Sequence, residues 1–211
     1  MLFNSKIFIV FLIVVLSVYY FLNDRQKIWF LLLMSYVFYG FWDPTLCTLI
    51  MLSTVVDYGC GRKLGRLSLE DRKTVGKPWL WLSLAVNLGL LGFFKYYDFF
   101  VEELVIAGNW VGLGLDADRY ILDLVLPVGI SFYTFQTMAY TIDLYRGDIK
   151  EPERNFGRFA LYVAFFPQLV AGPVERAPHL LPQFSLPPAA SSQSAPLAAF
   201  VSSWRRAYSC P

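Results

Sequence analysis

Apolar residues neither alternate with polar ones along this chain nor keep to one helical face. They come in long blocks separated by short charged stretches. The first block, Ile7 to Leu22, lies between Lys6 and Asn23-Asp24-Arg25; the second runs from Ile28 to Trp42, and Asp43-Pro44 stops it. Proline restricts the residue before it to extended backbone, so a turn or shallow break is expected there. Further blocks cover Thr45 to Tyr58, Pro78 to Phe94 (closed by Lys95), Tyr120 to Tyr140 and Phe159 to Val174. A sixteen-residue block rises about 24 Å as a helix, close to the ~30 Å of a bilayer's hydrocarbon core. The pattern predicts an all-α, polytopic transmembrane helix bundle with about six membrane-embedded segments, two of them broken by Pro and Gly. The first block ends in Tyr19-Tyr20-Phe21-Leu22 rather than at a small-residue cleavage site, so it reads as a retained helix and not a signal peptide.

Basic residues orient the blocks. Gly59 to Lys77 carries six (Arg62, Lys63, Arg66, Arg72, Lys73 and Lys77) and reads as a solvated cytoplasmic loop. Counting crossings in both directions puts Arg25, Lys27 and the Arg146–Arg158 stretch on the same side. Twelve basic residues then face inward and three outward, with the N-terminus outside. Lys95 to Arg119 becomes an outer loop that includes a short interfacial amphipathic piece, Phe99 to Ala107.

Composition narrows the classes. Apolar residues make up 56% and charged residues 16% of the 211, against about a quarter charged in soluble domains, and the mean hydropathy is +0.48. Intrinsic disorder, a disulfide scaffold and an ordinary cytosolic enzyme are excluded, and lipid is the implied partner. A net charge of +2 gives no footprint for nucleic acid. One histidine and three scattered cysteines leave no metal-ligating set.

The Pro and Gly interruptions carry the most local information. Leu126-Pro127-Val128-Gly129-Ile130-Ser131 and Phe166-Pro167-Gln168-Leu169-Val170-Ala171-Gly172-Pro173 break two blocks. Inside lipid each freed backbone group needs a partner, so such breaks persist only within protein or beside a wet cavity. Either alone reads as a simple kink; two together, each beside a glutamine (Gln136, Gln168), point to a shared interior passage with Arg176 at its rim. Asn87 reads as an interhelical hydrogen bond, Asp143 as a partner of Arg146, and Lys95 as a snorkelling headgroup contact. Ser131 has no base near it in sequence, and His179, in a Pro-rich stretch, reads as a surface or packing residue.

Four blocks resemble a known family. They are Lys95-Tyr96-Tyr97-Asp98-Phe99-Phe100, Leu126 to Gln136, Tyr140 to Gly147, and Phe165-Phe166-Pro167-Gln168-Leu169-Val170-Ala171-Gly172-Pro173-Val174-Glu175-Arg176. With Leu181-Pro182-Gln183-Phe184 and Tyr36 to Trp42, they resemble the membrane-bound O-acyltransferase family, in its bacterial, alginate-acetylating branch. The resemblance covers about residues 1–184, the N-terminal part of such a transmembrane domain. It implies transfer of an acyl group, acetyl above all, from a cytoplasmic thioester donor to a hydroxyl acceptor such as an exopolysaccharide. It also implies outer-face partner proteins that modify the polysaccharide, and no bound cofactor.

The family's catalytic histidine lies downstream of the block that ends here in Gly172-Pro173, and nothing in this chain matches it. No catalytic residue is therefore expected in these 211 residues. Lys95, Pro127, Gly129, Gln136, Gln168, Gly172, Pro173 and Arg176 are the expected passage and scaffold residues. Residues 185–211 hold seven serines in twenty-seven positions and lose the apolar blocks, reading as a disordered or frame-shifted tail. A non-enzymatic polytopic subunit and an inert gene remnant are the rival readings.

Overall fold

The structure, a computed structural model, describes residues 6–41, 44–112, 114, 116, 120–121, 129–171 and 176–184. Pro127, Gly172, Pro173 and the 185–211 tail lie outside them. All regular elements among the described residues are α-helices, as the block pattern predicts.

Helix α1 (Lys6–Phe21) is apolar all round: Val15 and Tyr19 are buried, while Ile7, Val10, Ile13, Val14 and Phe21 stay exposed. Helix α2 (Asp24–Gly40) follows after two residues. Its start is held by Gln26, whose side chain accepts from the Asn23 backbone N–H. Pro44 opens α3 (Pro44–Leu64), where its missing N–H has no helical partner to lose.

The basic stretch after Tyr58 is not an open loop. Helix α3 continues to Leu64, and a short α4 (Leu69–Thr74) begins at Ser68, whose Oγ accepts from the Asp71 N–H. Arg72, expected in solvent, is 3% exposed. Its guanidinium donates to the carbonyls of Leu64, Leu144, Ile149 and Lys150 at 2.7–3.1 Å. It thereby gives a second donor to the Leu64 and Leu144 carbonyls, which already accept the Leu67 and Gly147 N–H groups, and ties the ends of α3 and α6 to Ile149 and Lys150.

Helix α5 (Lys77–Trp110) also departs from expectation: the fourth block and the supposed interfacial piece are one continuous helix. At 1.5 Å per residue it rises about 50 Å, and the Lys77-to-Lys95 part alone covers about 27 Å. Lys95 therefore ends the apolar block without ending the helix. No proline or glycine follows it until Gly108, so nothing in the backbone stops helical propagation there.

Helix α6 (Ile130–Arg146) starts directly after Gly129, which sits at φ +85 in the left-handed region. Gly129 is thus the boundary of this helix, not an interruption within it. A side chain there would meet the left-handed penalty that glycine avoids. Gly147, at φ +90, closes the same helix with its N–H on the carbonyls of Asp143 and Leu144.

The sixth block is split into α7 (Phe156–Ala164) and α8 (Phe166–Ala171), followed by α9 (Ala177–Phe184). Helix α7 forms the centre of the molecule, with every residue from Phe159 to Ala164 buried, and it packs on α2, α3, α6 and α9. Helices α3, α5 and α6 pack on one another alongside it.

Candidate functional site

The split between α7 and α8 is the site that the broken-helix argument anticipates. Phe165 leaves the helical region at φ −61, ψ 103, and Pro167 has no N–H to offer. In an unbroken helix the Phe166 N–H would bond the Tyr162 carbonyl four residues back. Here the two groups part company. The Phe166 N–H donates to Ser35 Oγ on α2 at 3.4 Å, and the Tyr162 carbonyl accepts from Gln136 Nε2 on α6 at 2.7 Å. Ser35 can accept because its own hydroxyl hydrogen goes to the Leu31 carbonyl at 2.8 Å. In return the Tyr162 hydroxyl donates to the Gln136 backbone carbonyl at 3.3 Å.

Two neighbouring helices therefore supply what the break removes, and none of these groups faces solvent: Ser35 is fully buried and Gln136 is 2% exposed. Phe166 is fixed by ring contacts to Phe11 of α1 and Phe38 of α2, with centroids 5.5 and 5.4 Å away. Those contacts hold the first residue of α8 within reach of Ser35.

The other expected residues stand on several elements. Gln168, in the first turn of α8, is 5% exposed, and its backbone N–H donates to the Phe165 carbonyl. Arg176 is exposed just before α9, and its charge acts on the buried Asp143 near the C-terminal end of α6. Burial raises the Asp143 carboxyl above its ordinary range, while Arg176 and Arg146 oppose that rise. Lys95 is exposed on α5 with its ammonium 5.3 Å from the Tyr96 ring centroid. His179 is exposed in α9; its backbone N–H donates to the Arg176 carbonyl and its carbonyl accepts from Gln183.

A cleft of about 950 Å³ opens between the segment Asp148–Arg158 and α9. Lys150, Arg154 and Arg158 bring positive charge to it, with Glu151 and Glu153 beside them, and Pro178 and Leu181 form an apolar wall. Arg154 pairs with Glu151 at 3.4 Å and Arg158 with Glu153 at 4.0 Å. The Arg154 pair is exposed and so contributes little to stability, which leaves its guanidinium free to exchange partners. Gly65 brings the end of α3 against this segment: a Cβ at Gly65 would overlap the Pro152 ring.

A second polar centre was missed in the sequence. Asp57 on α3 is fully buried and receives Ser83 and Asn87 from α5. Ser53 and Thr137 both donate to Asn87 Oδ1, at 2.8 and 3.1 Å. Asn87 is therefore an interhelical hydrogen-bonding residue, as its sequence context predicts, but within a much larger network. The available signal was periodic: Ser53/Asp57, Ser83/Asn87 and Thr137/Thr141 are each four residues apart, so each pair shares a helix face.

Comparison with known proteins favours one of the readings left open by the fold. The chain is 40% identical over 187 residues to the probable alginate O-acetylase AlgI of Pseudomonas syringae, a match taking in 88% of this chain and 35% of that protein. The probable alginate O-acetylase AlgI of Pseudomonas aeruginosa is 39% identical, over 88% of this chain and 35% of its own length. This chain is similar to proteins named as probable alginate O-acetylases. The likeness extends to the peptidoglycan O-acetyltransferase of Helicobacter pylori, 32% identical over 87% of this chain and 38% of that protein. The resemblance to O-acyltransferases read from the four sequence blocks is borne out, and the chain spans about a third of the length of these curated relatives. No family model and no solved structure matches it.

Proposed function

We propose that residues 1–184 form the N-terminal, membrane-embedded part of an O-acetyltransferase that acetylates hydroxyls of an exopolysaccharide. The observation carrying this reading is the 40% identity, over most of this chain, to a protein named as a probable alginate O-acetylase. The exposed apolar faces of α1 and of α5, the described helix long and apolar enough to cross a bilayer alone, support a lipid surrounding. Six embedded segments are read from the apolar blocks, and the orientation, with the N-terminus outside an inner membrane, from the basic-residue asymmetry.

On that orientation the cleft beside Lys150, Arg154 and Arg158 opens toward the cytoplasm. Arginine and lysine beside an apolar wall suit a thioester donor that carries anionic groups on a longer apolar stem. The acceptor polysaccharide and the proteins that handle it belong to the opposite face. The helices described here contribute architecture: α2 and α6 hold the α7–α8 break open, and the break positions whatever lines the passage. Gly129, Gln136, Gln168 and Arg176, with Pro127, Gly172 and Pro173, are the residues assigned to that passage. Lys95 marks its outer boundary.

None of the residues in this chain is assigned a catalytic role. His179, the only imidazole, is exposed on α9 rather than set in the helical core. The test is a chimera in which residues 1–184 replace the matching part of the Pseudomonas aeruginosa alginate O-acetylase. Acetyl content of alginate, read by proton NMR from a strain lacking the native gene, should be restored. A chimera that reaches the membrane in normal amounts and leaves alginate unacetylated would overturn the proposal.

A further inference from the structure

A smaller cavity, of about 350 Å³, adjoins the cleft beside α9 and shares Glu151, Pro152 and Arg154 with it. Its other lining residues, Arg62, Gly65 and Arg66, come from the end of α3. Two distant parts of the chain thus bring three guanidinium groups around one hollow, and Glu151 is the carboxylate among its lining residues. Two close approaches build the hollow. Gly65 has no side chain, so the Pro152 ring packs where a Cβ would stand. The Tyr58 hydroxyl donates to the Arg154 carbonyl at 2.6 Å, and the Arg62 guanidinium lies 6.0 Å from the centroid of the Tyr58 ring. That ring is itself held edge-on by Phe156, with centroids 5.3 Å apart.

The charges at this hollow do not balance. Arg154 meets Glu151 at 3.4 Å, but both side chains of that pair are open to solvent, so the pairing is weak. Among the described residues neither Arg62 nor Arg66 has a carboxylate within ion-pair distance or a side-chain hydrogen bond. Arg62 is half-buried all the same, and Arg66 follows it four residues later, close enough for like charges to repel. The helix end explains part of this, since basic residues suit a helix C-terminus. It does not explain Arg154, which arrives from another segment with the same sign. Guanidinium groups present planar forks of N–H donors, and several of them converging on one hollow match the oxygens of a phosphate.

We propose that Arg62, Arg66 and Arg154 form a binding site for a phosphate group, in which Arg154 exchanges Glu151 for the phosphate oxygens. Arg62 and Arg66 lie outside the cleft assigned to the acyl donor, and the site does not depend on acetyl transfer. Its depth rests on the membrane reading. The apolar block of α3 ends at Tyr58, and Arg62 follows one turn later, about 6 Å along the helix axis. The headgroup layer on each side of a bilayer is about 5–8 Å thick. The phosphodiester of an anionic lipid headgroup reaches this depth from the bilayer, and the phosphate of a soluble ester reaches it from water. Both offer the same anion to the same three side chains.

The experiment titrates the 211-residue chain in mixed micelles with two probes and counts the complexes by native mass spectrometry. One probe is dioctanoyl phosphatidylglycerol, with dioctanoylglycerol as its phosphate-free control; the other is inorganic pyrophosphate. Arg62→Gln combined with Arg66→Gln should weaken phosphate-dependent binding about tenfold or more. Lys73→Gln combined with Lys77→Gln, the same loss of charge at exposed lysines outside the cavity, should weaken it less than about twofold. Binding of the lipid without pyrophosphate assigns the site to a headgroup, and binding of pyrophosphate assigns it to a soluble phosphate ester; either result supports the site. Absence of arginine-dependent binding for both probes would overturn the proposal. Equal losses in the two double variants would overturn it too, because they leave only a diffuse positive surface. A second measurement needs no variant to fold. Phenylglyoxal labels arginines, and saturating probe should slow labelling of Arg62 and Arg66 severalfold relative to Arg25, which is exposed on α2. Unchanged labelling of Arg62 and Arg66 with either probe would contradict the site.

Discussion

Replacing Gln136 by Met removes the amide that serves the break between α7 and α8 while keeping side-chain length, apolar volume and helix propensity. The Gln136 Nε2 bond to the Tyr162 carbonyl is short at 2.7 Å, and both residues are buried. Losing the donor leaves a carbonyl in the interior whose usual helical partner, the Phe166 N–H, is already committed to Ser35. An unsatisfied buried group costs about 1–3 kcal/mol, whereas interhelical hydrogen bonds in a membrane average about 0.6. Because the break diverts the local alternative, the expected loss is about 1–2 kcal/mol, or 5–30-fold in the ratio of folded to unfolded chain. Ser35→Ala should lose less, below about 1 kcal/mol, because its 3.4 Å contact is long. The assay is denaturant titration in mixed micelles followed by circular dichroism. If Gln136→Met matches wild type within about 0.3 kcal/mol, the break is not held by Gln136 and the reasoning fails.

Arg72→Met should destabilise the chain by about 3 kcal/mol or more in the same assay, since four carbonyls lose a charged donor together; a change below about 1 kcal/mol would return Arg72 to the solvated class. Gly129→Ala should cost about 1–2 kcal/mol through its φ of +85, whereas Gly92→Ala, in the interior of α5 with nothing within 4 Å of its Cβ position, should be neutral or stabilising. Reporter fusions at Arg66 and Asp116 should report opposite compartments, cytoplasmic for Arg66; a same-side result contradicts the orientation.

What the sequence revealed, and what it hid, divides along one line. Block length and Pro/Gly punctuation depend on local chemistry, so the helices, the boundary near Pro44 and the break near Pro167 were legible. The need for a partner at that break was legible too, and Gln136 meets it. Its counterpart Ser35 was not, because a lone serine in an apolar block looks the same whether it bonds its own helix or a neighbour. Arg72 was misread because a basic run is ordinarily solvated, and only the tertiary meeting of the ends of α3 and α6 gives its guanidinium carbonyls to collect. Helix α5 outlasted its apolar block because hydrophobicity marks what lipid can cover, not where backbone hydrogen bonding stops. The Asp57 network was hidden for a different reason. Its signal is three modest polar pairs on three helices, and none stands out until packing brings their faces together.

The central proposal is that this chain contributes the architecture, and not the chemistry, of acetyl transfer. Acetyl transfer measured with the purified 211-residue chain in liposomes tests this directly, using a labelled acetyl thioester and alginate oligomers. A positioned general base contributes typically 10²–10⁴-fold, and His179 is exposed on α9 rather than set among the core helices. The account predicts labelling no higher than in empty liposomes, and no difference between wild type and His179→Ala. Robust labelling that His179→Ala abolishes would contradict it.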